Sequence, residues 1–396
     1  MEEAFFRTHT YLVEHIDAPV RRTLMDEIDW NDRMIGIKGT RGVGKSTFLL
    51  QYAKEHFGPY DRKCLYVNMN NFYFQSRGIA DFAGDFVNQG GRTLLIDQVF
   101  KQQDWSKELR KCYDLYPELK IVFTGSSVMR LKEENPELNG IVKSYNLRGF
   151  SFREYINLKT GNDFQPYELE DILRNHEHII KQILPKVSPM KYFNDYLHHG
   201  FYPFFLEQRN FTENLLKTMN MMTEVDILLI KQIELKYLPK IKRLFYELAV
   251  EDAKAPNVSQ LAESINTSRA TVMNYIKYLA DSRLINMIYP EGQDFPKKPS
   301  KVMMHNTNLM YAIYPIQIDK QEVMETFFVN SLWKDHKVHQ GGKDHYYTVD
   351  GNRKFRICDA QTPNKMRSNP DTIYARYNTE VGKDNKIPLW LLGFLY

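Results

Sequence analysis

Residues Gly39–Thr47 read GTRGVGKST, and the fold turns on how this stretch is read. Gly39, Gly44, Lys45 and Ser46 stand at the fixed places of the pattern G-x-x-x-x-G-K-[ST], a phosphate-binding loop. Glycines let the backbone curl until successive N–H groups point inward, and the anion sits on the helix N-terminus that follows. Lys45 supplies a point charge for β- and γ-phosphates, and the Ser46 hydroxyl is a ligand for Mg²⁺. The whole loop, Gly39, Thr40, Arg41, Gly42, Val43, Gly44, Lys45, Ser46 and Thr47, is therefore the candidate nucleotide cradle. Its flanks agree: residues 33–38 (RMIGIK) read as a short buried strand, and residues 46–54 (STFLLQYAK) begin a helix with an apolar stripe.

Outward from the loop, strand and helix alternate. CLYVNM (64–69), RTLLID (92–97) and KIVFTG (120–125) are apolar strand runs, with a further extended piece near 144–147. Helical patterns lie between them at 79–87 and 105–116. Such alternation with fully apolar strands predicts a parallel α/β sheet covered on both faces, with ligands bound beyond the carboxyl ends of the strands. Asp97 ends the third of these strands and is the expected second Mg²⁺ partner beside Ser46. Thr124 ends the fourth, between the loop strand and the Asp97 strand, where a hydroxyl can sense a γ-phosphate. Position 98 is Gln, where hydrolytic enzymes of this class carry a glutamate that activates water. An amide takes no proton at neutral pH, and loss of a positioned base costs roughly 10²–10⁴ in rate. Three alternatives stay open: Gln98 orients water as a glutamine does in small GTPases, the base comes from elsewhere, or the residue is the substitution used to trap such enzymes with ATP bound.

With 396 residues the chain exceeds one ordinary core. Apolar residues make up 43% and charged residues 26%, and the formal charge is only +4, so any nucleic-acid surface has to be local. Cys64, Cys112 and Cys358 lie far apart without a C-x-x-C, which argues against zinc or a disulfide framework and fits a reducing cytoplasm. The N-terminus lacks the apolar core of a signal peptide, and residues 387–396 (IPLWLLGFLY) are too short to span a bilayer, reading as a closing strand. No membrane association is expected.

Beyond residue 151 come helices rich in Tyr, Phe, Leu and Met. Residues 257–284 (NVSQLAESINTSRATVMNYIKYLADSRL) then carry two apolar stripes separated by Asn266-Thr267-Ser268, a helix-turn-helix. Residues 284–289 and 301–305 would supply a hairpin wing. Thr267, Ser268, Arg269, Thr271, Asn274 and Lys277 form the set that would face a DNA groove. FPKKPSK (295–301) reads as the best linker, and His198-His199 as packed surface.

Taken together, GIKGTRGVGKSTFLLQY, LLIDQVFKQQDWSKELRKCYDLYPELKIVFTGSS, LRGFSFREY, HHGFYPFFLE, TEVDI, HNTNLMYAI, ETFFVNSL and NKIPLWLLGFLY resemble the bacterial and archaeal AAA-type ATPases of the AAA_14/DUF4143 kind. The resemblance covers essentially the whole chain. It implies a P-loop NTPase core of AAA+ type (1–160), a helical lid (161–235), a winged helix (236–298) and an α+β restriction-endonuclease-like domain (299–396). Gly200-Phe201-Tyr202-Pro203 looks like the family's G-x-x-P lid motif, which would put Pro203 near the adenine. Asn139-Gly140-Ile141 stands where the family carries an arginine pair, leaving Arg130, Arg148 and Arg153 as weaker arginine-finger candidates. Glu325 and Asp350 match carboxylates of a nuclease-type metal site, but Arg356 and Ala360 replace its E-x-x-x-K-like element and Asp359 falls on the opposite strand face, so nucleic-acid cleavage is not expected. The expected ligands are ATP or ADP and Mg²⁺, with a homo-oligomer as the working form. The functional expectation is a nucleotide-gated switch or scaffold with slow or trapped hydrolysis. The alternative is an ATP-dependent DNA-associated motor or loader contacting duplex DNA through Arg269, Thr271, Asn274 and Lys277.

Overall fold

In the computed structural model, residues 2–129, 135–207, 210–251, 254–316, 318–333, 335–342, 346–361 and 369–396 are described. The chain divides into two units, 1–148 and 149–396.

Apolar runs with no polar alternation can be buried only between two helical layers, and the first unit is built that way. Its strands are β1 (Met34–Gly39), β2 (Cys64–Asn68), β3 (Thr93–Asp97), β4 (Lys120–Ser126) and β5 (Lys143–Asn146), all parallel, in the order β2-β3-β4-β1-β5. Ile35, Ile37, Leu94, Leu95, Ile96, Val122 and Phe123 are fully buried. Helices Lys45–His56, Ile79–Asn88 and Trp105–Leu115 make the crossovers. At the β2 edge the N-terminal helix Glu2–His15 packs its apolar side inward, with Phe5 in an aromatic cluster with Tyr73, Phe74 and Phe82. From the same helix His9 Nδ1 accepts the β2 edge N–H of Tyr66 at 3.0 Å, so an otherwise open strand edge is covered.

The second unit opens with helices Phe152–Thr160, Leu169–Ile183 and Met190–Asp195, continues as a π-helical turn at Tyr196–Gly200, and reaches Phe211–Met221. Helix Leu238–Val250 leads into the short helices Val258–Ser264 and Arg269–Asp281. Asn257 and Ser268 cap these two, each side chain accepting a backbone N–H of the first turn. Strands β6 (Ile285–Ile288) and β7 (Lys301–Met304) then pair antiparallel. After helices Thr307–Ile313 and Lys320–Leu332 a mixed sheet runs in the order β12-β11-β10-β9-β8, formed by β8 (Val338–Gln340), β9 (Tyr347–Val349), β10 (Arg353–Asp359), β11 (Thr372–Tyr377) and β12 (Lys386–Pro388). Phe328 of helix Lys320–Leu332 meets Tyr347 and Phe355 of this sheet at ring distances of 5.3 and 5.1 Å.

Two sequence expectations are corrected here. Residues 387–396 do not form a closing strand. β12 ends at Pro388, which has no N–H to carry the ladder on, and Leu389–Phe394 coil into a fully buried 3-10 helix. Residues 295–301 are no linker between domains. They lie in the connection from β6 to β7, where Ser300 N–H donates to Ile288 O, so a boundary at 298/299 would cut a paired hairpin. The compact first unit ends at 148, and helix Phe152–Thr160 packs with the second unit's own rings, Phe152 against Phe193 and Tyr196.

Candidate nucleotide site

The loop leaves β1 at Gly39 and enters helix Lys45–His56 through Gly44, whose φ of 94° is left-handed and closed to most side chains. At Gly39 the reason is closeness instead: a Cβ would stand 2.4 Å from the Leu147 carbonyl oxygen. Lys45 Nζ donates to the carbonyls of Gly39 (2.9 Å) and Thr40 (2.8 Å), bracing the loop across its own span. Thr40 and Val43 are buried, Arg41, Gly42 and Ser46 half-buried, and Thr47 exposed.

Asp97 lies at the carboxyl end of β3 with no exposure at all. Its Oδ2 accepts from Ser46 Oγ at 2.6 Å, Tyr66 Oη at 2.8 Å and Asn68 Nδ2 at 3.0 Å. Its Oδ1 accepts from the Thr124 hydroxyl. Ser46, Asp97 and Thr124, chosen from three separate stretches of sequence, are thus one hydrogen-bonded group. Gln98 follows with φ 57°, ψ 48°, and its N–H donates to Thr124 Oγ1 at 2.9 Å. The same threonine therefore holds the last strand carboxylate and fixes the backbone that carries the Gln98 side chain.

Tyr66 and Asn68 are site residues that sequence reasoning missed. Strand register carries the signal: Asn68 pairs with Asp97 across β2 and β3, and Tyr66, two positions back, points to the same face. Burial, with Asp97 alongside, pushes the Tyr66 phenol above its ordinary value, so it remains a donor at neutral pH.

The donor set suits the expected ligands. Curled backbone with left-handed φ at Gly42 and Gly44 suits a phosphate cradle, and at Gly44 a Cβ would meet nothing within 4 Å. A hydroxyl and a carboxylate 2.6 Å apart are the hard oxygen donors that Mg²⁺ takes.

Other predicted residues separate from this site. Arg153 is buried, with Nε on the Tyr396 carbonyl (3.0 Å) and Nη1 on the Phe164 carbonyl (2.8 Å), so it braces the second unit. Arg148 gives its carbonyl to Arg22, and Arg130 lies outside the described residues. Pro203 opens the 3-10 helix Pro203–Leu206 of the second unit. His198 stacks on Tyr311 and His199 Nδ1 lies 3.3 Å from Asp195, a packed arrangement in which burial lowers the His198 pKa.

Glu325, on helix Lys320–Leu332, and Asp350, in the turn after β9, have separate partners. Glu325 accepts from Lys301, from Tyr347 Oη at 2.7 Å and from Gln321 Nε2 at 3.0 Å. Asp350 takes His336 Nδ1 at 2.8 Å, the Lys337 N–H at 2.9 Å and Arg353 Nη1 at 2.9 Å. Burial pushes the Asp350 carboxyl up, and these donors outweigh it and leave the pKa below the ordinary value. Arg356 lies over the Tyr346 ring and Asp359 binds Asn378 Nδ2 at 2.9 Å. Ala360 joins the backbone of Tyr377. Among the described residues no group of three His, Cys, Asp or Glu side chains is placed to hold a metal ion.

On helix Arg269–Asp281, Arg269 and Asn274 are exposed and Thr271 half-buried, with Ser268 used as the cap and Thr267 in the turn. Lys277 differs, because its Nζ is held by Asp281 at 2.6 Å. Among the described residues no helix is long and apolar enough to cross a membrane.

Comparison with known proteins bears on both units. Residues 31–156 match the AAA_14 family model, an AAA domain. Residues 190–320 match DUF8612, a domain of unknown function, where the resemblance implies DUF4143. The uncharacterized protein MJ1637 of Methanocaldococcus jannaschii is 26% identical over 297 residues, 70% of this chain. The chain spans 62% of that relative's length. Among solved structures, the Aeropyrum pernix ORC1 protein in complex with DNA aligns at 12% identity and TM-score 0.30, over 80% of this chain and 92% of that one. AMPPCP-bound DnaA from Aquifex aeolicus aligns at 13% identity and TM-score 0.23, over 69% and 86% respectively. Glycine loop, lysine, strand-end aspartate and family model coincide on one segment, residues 31–156, which is similar to the AAA domain of the AAA_14 model.

Proposed function

We propose that the first unit binds ATP with Mg²⁺ and that the protein works as a nucleotide-gated switch or oligomeric scaffold with slow turnover. One observation carries the reading: Ser46, at the helix start after the loop, is hydrogen-bonded to the strand-end carboxylate Asp97, with Gln98 next in the chain. In this reading the loop N–H groups and Lys45 hold the phosphates, and Ser46 and Asp97 would hold the metal ion, which when bound offsets phosphate charge. Thr124 positions Asp97 and the Gln98 backbone. Gln98 can offer water a hydrogen bond and cannot accept its proton, so binding outlasts chemistry and the ATP state persists. A long-lived ATP state is what ordering a homo-oligomer would need.

Calorimetric titration with ATP–Mg²⁺ tests this directly. The intact chain should bind and Lys45→Ala should not, because backbone N–H groups alone leave the phosphate charge uncompensated. Equal affinity in both proteins would remove the reading.

A second reading, a DNA-associated ATPase, has one observation in its favour: Arg269 and Asn274 stand exposed on the second helix of a capped helix-turn-helix.

A further inference from the structure

Arg22 lies in the segment before the short helix Leu24–Glu27, is only 8% exposed, and belongs to none of the motifs above. Its guanidinium reaches two backbone carbonyls of the first unit. Nη1 donates to Val43 O at 3.3 Å and Nη2 to Arg148 O at 2.7 Å. Val43 is the loop residue between Gly42 and Gly44, the two positions with left-handed φ. Arg148 follows the strand end whose Leu147 carbonyl crowds Gly39, and Leu147 N–H in turn donates to Lys38 O at 2.8 Å. Arg22 is therefore bonded to the middle of the loop and to the backbone on which the start of the loop rests.

The geometry has a direct consequence for phosphate binding. A peptide unit is planar, and in its trans form the C=O and the following N–H point in opposite directions. Among the described residues the cis peptide bond is Phe295–Pro296 alone, so Val43–Gly44 is trans. Holding the Val43 carbonyl toward Arg22 aims the Gly44 N–H away from Arg22. Turning this peptide over changes ψ of Val43 and φ of Gly44, and because a glycine has access to either sign of φ the loop itself has little to stop the turn. A turned peptide would present a carbonyl where an anion needs a donor. A planar fork with several fixed donors suits the task, because it can hold two carbonyls at set angles where a single ammonium cannot.

We propose that Arg22 is a positioning residue for the nucleotide loop, a latch that keeps the Val43–Gly44 peptide turned so that the Gly44 N–H serves phosphate. The proposal rests on the nucleotide reading above. Arg22 itself touches no phosphate in this scheme and acts through the peptide.

The test is an ADP titration by calorimetry on the full-length protein, Arg22→Ala, Arg22→Lys and Lys45→Ala, with thermal melts of each nucleotide-free protein. Arg22→Ala should lose about ten- to hundredfold in ADP affinity, the range for one misdirected donor to a charged group. Arg22→Lys, with one point donor, should fall between. Methylguanidinium at non-denaturing concentration should restore part of the affinity to Arg22→Ala and none to Lys45→Ala. That rescue is the readout a general loss of packing would not give. Unchanged affinity in folded Arg22→Ala, or a loss that methylguanidinium does not relieve, overturns the latch. If Arg22→Ala does not fold, Arg22→Lys decides by the same affinity criterion, wild-type binding overturning the proposal. Failure of the unmodified protein to bind ADP would be a separate result, removing the nucleotide reading and the latch with it.

Discussion

Gln98 is where a single residue has most to say about turnover. Its backbone is held in the left-handed region by the Thr124 hydroxyl, which also anchors Asp97. A glutamate placed there would start from the same backbone, and its carboxylate would differ from the amide by one atom. Gln98→Glu should therefore raise steady-state ATP hydrolysis at least about tenfold, by restoring a group able to take the water's proton. Phosphate release measured at saturating ATP–Mg²⁺ checks it, and equal rates would mean that another group already serves as base. The loop, Asp97 and Thr124 were legible in the sequence because each belongs to a local pattern of fixed spacing. Tyr66, Asn68 and Arg22 were not, since their roles come from strand register and from a contact across more than twenty positions. The arginine candidates show the reverse difficulty: Arg153 reads as a weaker finger candidate in sequence, and packing reveals it as a buried brace.

At the scale of elements, the N-terminal helix and the edge strand β2 are joined through a histidine that cannot accept charge. Tyr66 N–H donates to His9 Nδ1, which requires the lone pair there and the proton on Nε2. Burial lowers the His9 pKa to about 4 from 6.5. An unfolded chain takes up this proton as pH falls below 6.5, whereas the folded one resists until about 4. The stabilisation is thus whole above pH 6.5 and is lost on acidification, by about 2 kcal/mol between pH 7 and pH 5. Urea unfolding at the two pH values should show this difference, and His9→Gln, which keeps an acceptor without the titration, should flatten it. The helix Arg269–Asp281 offers a second test at this scale. If it meets duplex DNA, Arg269→Ala should lower the salt dependence of binding by roughly one slope unit. Lys277→Ala should change it little, because Asp281 already neutralises that ammonium. An equal effect of both substitutions in a filter-binding salt titration would show that the ion pair opens on DNA. Both helices were readable from the apolar stripes and the turn between them from Asn266-Thr267-Ser268; the Asn257 cap came with the structure. Lys277's engagement was not, since an i,i+4 carboxylate competes with any outside partner.

For the molecule as a whole, period and composition foretold the parallel sheet of the first unit and the change to helices after it. They misread two stretches: β7 lies beyond a loop that reads like a linker, and the final apolar run is a 3-10 helix because Pro388 stops the ladder. Apolar character reports burial and not backbone form, so a buried run near a proline has two solutions. The strand order holds one further consequence, and it concerns time. β1 carries the loop at its end, yet its sheet partners are β4 and β5, Met34 pairing with Ile121 and Ile35 with Lys143. Ribosomes extend chains at about 5–20 residues per second, so β1 would wait roughly 4–17 seconds after its own synthesis for its first neighbour to exist. For that interval β1, an interior strand of the finished sheet, is an orphan, and the first strand of the sheet to be read is among the last to be paired.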